Sequence, residues 1–307
     1  MMLYREYPPC PALAPHVACL WTSHVRPAPG ALPFMHRVLP DNCVDILWQD
    51  SGASAFAVGM MSSAIFVASS GPVQTVAVRF LPGAARAFFG VPLAVLTDGR
   101  ADLADLWGRS CAERLQDGLW ERTLSDRERL DLIERALIER FMARLPGTLP
   151  ARAALVPGSP ARAAVGPGSP VAQAAVGPCS PVAPIALANG SPALRLAAAD
   201  GSLLARAAVA RIEACGGALR VESLADDLRV SRQHLAAQFR EQVGLSPKLF
   251  ARITRFRRAT EKARGQQTVD WAALALDCGY FDQSHLIRDF HDFATTTPEQ
   301  FLAPAAY

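Results

Sequence analysis

Long apolar runs, patterned cysteines and abundant charge are what this 307-residue sequence lacks. No stretch approaches the ~18 consecutive apolar residues needed to cross a bilayer, so a membrane-embedded chain is not expected. The N-terminus, Met1-Met2-Leu3-Tyr4-Arg5-Glu6, has no basic segment leading into an apolar one, so no secretory leader is expected either. Seven cysteines (Cys10, Cys19, Cys43, Cys111, Cys179, Cys215, Cys278) stand without C-x-x-C or histidine-paired spacing. That argues against a zinc site or a disulfide framework and suits reduced thiols in a cytoplasm. Catalytic signatures are missing too: there is no nucleophile elbow, HExxH or phosphate loop. Charged residues make up 19%, and a formal charge of +3 is too small to identify a partner. The expectation is a soluble intracellular protein with no cofactor, no metal site and no catalytic residue.

What the chain does have is an uneven layout. Half of its residues are apolar, enough for a sizeable core, and its length favours two domains. Residues 1 to about 85 read as strands and turns, with runs at Arg37–Leu39, Cys43–Trp48, Ala55–Val58, Ala64–Ala68 and Val73–Phe80 bounded by Gly, Ser, Pro or Asn. A small antiparallel β-layer or barrel is expected there. Asp41, Asp45, His16, His24, His36 and Cys43 lie in it, and such polar residues beside a β-layer are usually turn formers. Short helices follow near Phe89, Leu103–Trp107 and Cys111–Trp120. Ser125-Asp126-Arg127-Glu128 has the capping-box spacing. The helix behind it puts Leu130, Ile133, Leu137, Phe141 and Leu145 on one stripe, for packing on its own domain or for a dimer seam. Gly158-Ser159-Pro160, Gly168-Ser169-Pro170, Cys179-Ser180-Pro181 and Gly190-Ser191-Pro192 then recur every ten or eleven residues. Prolines this frequent block helices and ladders alike, so 146–195 is expected to be a disordered linker that lets the halves move independently. The whole is therefore an α+β chain: 1–145 with β-layer and helices, a linker, and an all-α part over 196–307.

Two segments of that last part share one grammar. Leu224-Ala225 through Ser231 to Leu235 and Phe239 reads as helix, tight turn and second helix; Leu274-Ala275 through Asp282 to Leu286 and Phe290 reads the same way. This is a helix-turn-helix written twice. Leu235, Phe239 and Val243 form the buried stripe of the first recognition helix, Leu286 and Phe290 that of the second. Between the units, Leu249, Ile253, Phe256, Thr260 and Ala263 repeat at helical spacing, with Arg252, Arg255, Arg258 and Lys262 as a neighbouring basic stripe. From Arg229 to Arg264, ten Lys/Arg face two acids, whereas from Gly265 onward Arg288 alone faces six. A basic block suits a phosphate-facing surface, though solvated basic helices are common. A fixed spacer would let one monomer read two successive major grooves about 34 Å apart. His234, His285 and His291 lack the partner spacing of a metal site.

These residues carry a resemblance. Leu224-Ala225, Ser231, Leu235, Phe239, Gly244 and Ser246-Pro247, with Ala275, Gly279-Tyr280, Asp282-Gln283-Ser284-His285-Leu286, Arg288, Phe290 and Thr297-Pro298, resemble the AraC/XylS family of bacterial transcriptional regulators. An extra residue in the second turn is also a family habit. The resemblance implies a seven-helix DNA-binding domain, direct control of transcription initiation, and an N-terminal domain for effector sensing or dimerisation. Residues 1–145 are similar, through Arg37-Val38-Leu39-Pro40-Asp41, Cys43-Val44-Asp45 and Val78-Arg79-Phe80-Pro82-Gly83, to an uncharacterised domain found on many such regulators. Double-stranded DNA is the expected partner; RNA polymerase, an unidentified small-molecule effector and a second copy are further candidates. Three departures stand out: Arg229 and Thr295 occupy positions where the family has Gly, and His291-Asp292 replaces basic residues.

Base edges are expected to be read by Arg232, Gln233, Ala236 and Ala237 in the first unit and by Gln283, Ser284 and Arg288 in the second. Ser231, Arg240, Lys248, Arg252, Arg255 and His285 are expected on phosphates. Asp289 and Asp292 would repel phosphate and weaken the second unit. The alternative is a ligand-sensing or protein-interaction module whose DNA-binding half has decayed. If the DNA-binding reading holds, Arg252→Ala should weaken binding to every sequence alike and flatten the salt slope by about one. Gln233→Ala is expected to relax preference at one base pair, costing about 1–3 kcal/mol for a lost bidentate pair, as read in a binding-selection assay. Equal losses on every sequence would remove Gln233 from base reading.

Overall fold

The computed structural model describes residues 2–26, 34–69, 71–144, 201–266 and 268–303. The proline-rich stretch expected to be a linker (146–195) lies outside the described residues. Eight strands form in the N-terminal part: β1 (Met2–Tyr7), β2 (Val17–Val25), β3 (Phe34–Val38), β4 (Val44–Gln49), β5 (Phe56–Val58), β6 (Ile65–Ser69), β7 (Val73–Phe80) and β8 (Arg100–Asp102). Six of them make one open antiparallel sheet in the order β1-β2-β7-β4-β5-β8, and β3 pairs with β6 as a separate ribbon. Among the described residues it is a layer with two edges, not a closed barrel.

β7 lies inside that sheet, and Thr75 through Phe80 are buried on both faces, beyond what its near-alternating sequence implies. On one face Val76, Val78 and Phe80 join Leu20, Ile46 and Trp48, with Phe80 packed on Phe88 and Phe89 at 4.9 and 5.7 Å. On the other, Arg79 is buried yet satisfied. Its Nε and Nη2 donate to Asp45 at 3.1 and 2.9 Å, and Asp41 lies 3.5 Å away. Asp41 and Asp45 thus neutralise an inward arginine across the sheet, a paired burial in place of a costly bare charge.

Helices cover the apolar face: α1 (Arg86–Phe89), a 3₁₀ turn (Leu93–Leu96), α2 (Leu103–Trp107), α3 (Arg109–Trp120) and α4 (Asp126–Met142). The capping box at α4 is complete, with Ser125 accepting from the Glu128 N–H and Glu128 reaching back to the Ser125 N–H. Leu130, Ile133 and Leu137 are fully buried, and Phe141 stacks on His16 and Phe88. The stripe therefore packs on its own domain. Leu145 lies outside the described residues.

The C-terminal part is all helix: α5 (Gly201–Ala214), α6 (Val221–Asp227), α7 (Arg232–Val243), α8 (Pro247–Arg264), α9 (Trp271–Asp277), α10 (Gln283–Ala294) and α11 (Pro298–Leu302). It does not stand apart from the sheet, as independent halves would. Asn42 donates from Nδ2 to Phe250 O (3.2 Å) and Thr254 Oγ1 (3.0 Å) on α8, and Arg257 returns a bond to Asp41 O (2.9 Å). Thr97 donates to Gly244 O at 2.7 Å, Arg206 to Pro15 O at 2.9 Å, and Arg37 to Ala294 O at 3.3 Å. One contiguous apolar cluster runs from Leu13 to Ala294 across both parts.

Arg229 and Thr295 adopt φ of +56°, the left-handed region that the resemblance assigns to glycine. Thr295 ends α10 there, and a β-branched residue in that conformation is strained. Arg229→Gly and Thr295→Gly are each expected to stabilise the chain by about 0.5–1 kcal/mol, after allowance for the added freedom of the unfolded glycine. Denaturant midpoints check this, and a lower midpoint for Thr295→Gly would show that its backbone carries no strain.

Candidate nucleic-acid interface

Both helix-turn-helix units are built by the same hydrogen bonds. In the first, Leu228 N–H donates to Leu224 O, Arg229 N–H to Asp226 O and Val230 N–H to Ala225 O. In the second, Cys278 N–H donates to Leu274 O, Gly279 N–H to Leu276 O and Tyr280 N–H to Ala275 O. Arg229 therefore occupies the place of Gly279, whose φ is +81°. A side chain at Gly279 would come within 2.5 Å of Ala218 Cβ, so the second turn requires glycine for space as well as for conformation. Three residues separate the last residue of α6 from the cap of α7; four separate α9 from the cap of α10. Ser231 and Asp282 are those caps, accepting from the His234 and His285 N–H groups at 3.1 and 2.8 Å.

The apolar stripes point inward as read. Leu235, Phe239, Val243, Leu286 and Phe290 are buried, with Phe239 edge-on to Phe250 and Phe290 edge-on to Phe256. Turned the other way on α7, Ser231, Arg232, Gln233, Ala237 and Arg240 are exposed, while Ala236 is half-buried. Arg232 reaches Glu222 only loosely, at 3.5 Å. On α10, Ser284, His285 and Arg288 are exposed and Gln283 is half-buried. Lys248 is exposed at the start of α8. Neither Arg240, Lys248 nor Arg288 has an ion-pair partner among the described residues, so their charges are available to an outside anion.

The basic stripe of α8 is placed differently from expectation. Arg252, assigned to phosphate, donates from Nε and Nη2 to Asp289 Oδ1 at 3.1 and 2.6 Å and from Nη2 to Asp292 Oδ2 at 2.6 Å. Its guanidinium also lies 4.9 Å from the centre of the Phe293 ring. Burial disfavours its charge, but the bonds to Asp292 and Asp289 outweigh that and raise its proton affinity. Arg255, also assigned to phosphate, sits over the Tyr280 ring at 4.5 Å and donates to Gly279 O at 3.4 Å. Lys262 pairs with Asp277. The stripe is thus directed at the second unit. The reason is local complementarity: Asp277, Asp289 and Asp292, which follow Gly265, are the partners of Lys262, Arg252 and Arg255, which precede it. Asp289 and Asp292 are correspondingly neutralised within the protein.

Phe281 escaped the sequence reading. It is 82% exposed, in the last position of the second turn, with its ring edge-on to His285 at 6.0 Å. The signal available was the extra residue in that turn, which leaves one side chain without a place in the core. Leu276, also strongly exposed, precedes it on α9. Among the described residues no cluster of three or more His, Cys, Asp or Glu side chains forms a metal site, and no helix is long and apolar enough to cross a membrane.

Residues 224–303 match the family described as a helix-turn-helix domain, and residues 5–102 match a domain of unknown function (DUF6597). No curated protein matches the chain. Among solved structures, the chain is similar to ToxT from Vibrio cholerae (P21 form) at 11% identity, covering 98% of this chain and 97% of that one with a TM-score of 0.34. It is similar to ToxT bound to (E)-4-(8-methylnaphthalen-1-yl)but-3-enoic acid at 11% identity, 98% of both chains and 0.35. It is also similar to unsaturated-fatty-acid-bound ToxT at 9% identity, 88% of this chain, 94% of that chain and 0.33.

The clamp changes what Arg252→Ala should do. Removing Arg252 leaves the buried Asp289 carboxylate short of its main partner, a loss of about 3 kcal/mol. The expected outcome is a lower denaturant midpoint before any effect on DNA. An unchanged midpoint with a flatter salt slope would restore Arg252 to the phosphate-facing set.

Proposed function

We propose that this chain, whose C-terminal end is an AraC-type helix-turn-helix domain, regulates transcription by laying α7 and α10 in two adjacent major grooves of double-stranded DNA. One observation carries the two-groove reading: both recognition helices turn their apolar residues inward against the same helix, α8, and leave their N-terminal polar residues outside. In this reading Arg232, Gln233, Ala237, Gln283, Ser284 and Arg288 meet base edges, and half-buried Ala236 permits close approach. Ser231, Arg240, Lys248 and His285 meet phosphate. Phe281, at the mouth of the second recognition helix, lies against a thymine methyl or a sugar. Because Arg252 neutralises Asp289 and Asp292, the second unit is not repelled by the backbone, and both units bind. The N-terminal part modulates binding through its contacts with α7, α8 and α10. A small-molecule effector is the signal it would receive, RNA polymerase the machinery the bound chain would meet, and a second copy the partner for paired sites. Such work takes place beside chromosomal DNA, in the cytoplasm.

The test is an operator recovered by selection from random duplexes. Two boxes one helical turn apart are expected, and inserting five base pairs between them should weaken binding about 100-fold, because one unit then faces the wrong side of the duplex. A further five should not restore it, since α8 holds the offset constant. Affinity indifferent to the insertions would mean that a single unit reads DNA, and the two-groove proposal would fail.

A further inference from the structure

Where α1 meets the end of α4, a cavity of about 350 Å³ is lined by Arg86, Ala87, Gly90, Phe141 and Arg144. Two arginines stand in its lining and no carboxylate does. Arg86 Nη2 bonds Glu241 Oε1 at 2.7 Å, while its buried Nε has no hydrogen-bond partner. Arg140, one turn before Arg144, gives its donors to the carbonyls of Phe88, Leu106 and Trp107. Arg144 has no ion-pair partner among the described residues; burial and, after it, the Arg144 charge lower the proton affinity of Arg140. Of these three guanidinium groups, Arg86 alone has a carboxylate partner among the described residues, Glu241.

Gly90 makes the arrangement sterically feasible. It closes α1 at φ +77°, and a Cβ there would lie 1.4 Å from Arg144 Nη2. The guanidinium of Arg144 thus rests on a bare backbone and is held at the mouth of the cavity. The remaining wall is apolar: the Phe141 ring, backed by His16 at 4.6 Å and Phe88 at 5.6 Å, faces the space beside Ala87. Guanidinium forks bind carboxylates bidentately, and a flat aromatic wall accepts an apolar body.

We propose that this cavity binds a small organic acid, its carboxylate on Arg86 and Arg144 and its apolar body on Phe141. The site is wired to the DNA-binding part. Glu241 lies near the end of α7, so a ligand carboxylate competes with it for Arg86 and loosens one tie between α1 and the first recognition helix. By linkage the tie and the ligand weaken each other equally. The inference deepens the sensing role proposed above by giving it a site and a ligand class. Its failure is separable, because occupancy is measured without DNA.

The probe is sodium benzoate, titrated calorimetrically into the full chain at constant ionic strength, with inorganic phosphate in parallel. Saturable benzoate binding is expected, weakened about tenfold or more by Arg144→Ala, as the loss of a charge-assisted bond requires. Glu241→Gln should tighten benzoate binding several-fold by releasing Arg86, and phosphate should not saturate. Absence of saturable benzoate binding, or an Arg144→Ala chain that binds it as the parent does, overturns the site. Phosphate binding as tight as benzoate overturns the organic-acid assignment, and unchanged affinity in Glu241→Gln overturns the competition. Circular dichroism on each variant separates loss of binding from loss of fold.

Discussion

A fixed offset between two recognition helices demands a connecting helix that neither rotates nor slides, and α8 is held against both. Ile253, Phe256, Ala259 and Ala263 are buried along it. Phe250 seals it to the first unit, and Phe256 seals it to the second through Phe290 and Phe293. Arg252 then ties α8 to α10 by three charge-assisted bonds, and Lys262 ties it to the end of α9. Apolar burial supplies the adhesion, which is non-directional; the ion pairs supply register, which burial alone does not. Reading paired grooves depends on that division.

Most of the C-terminal part was legible because its physics is local. The stripes Leu235-Phe239-Val243 and Leu286-Phe290 follow from the helical period, the caps Ser231 and Asp282 from side-chain chemistry, and the strained turn from Arg229 standing in a glycine position. Arg252 and Arg255, expected on phosphate, lie instead against Asp289, Asp292 and Tyr280, for an equally physical reason. A sequence shows that bases precede acids, not that they fold onto each other, and a charge imbalance reads the same whether its partner is phosphate or Asp289. Phe281 was missed because an exposed aromatic residue breaks no periodicity.

The contact between the two parts was illegible for a different reason. Its acceptors are mostly main-chain carbonyls: Phe250 O for Asn42, Asp41 O for Arg257, Ala294 O for Arg37, Gly244 O for Thr97 and Pro15 O for Arg206. Every residue carries a carbonyl, so no residue type at the receiving end marks the interface. Asn42 illustrates the donor side. It takes the left-handed conformation that its short amide tolerates, at φ +62°, and from there delivers its side chain to α8. The sequence around it signalled a turn, and the turn is present; its second role is visible only once α8 is in place.

The shared apolar cluster has a consequence for how the chain would come apart. A single backbone cut between residues 144 and 201 would sever the covalent connection and leave every bond from the sheet to α5, α7, α8 and α10 intact. The nicked protein would migrate as one particle in solution. Either fragment synthesised alone would present to water the surface its counterpart normally covers, and would gain solubility by finding it again.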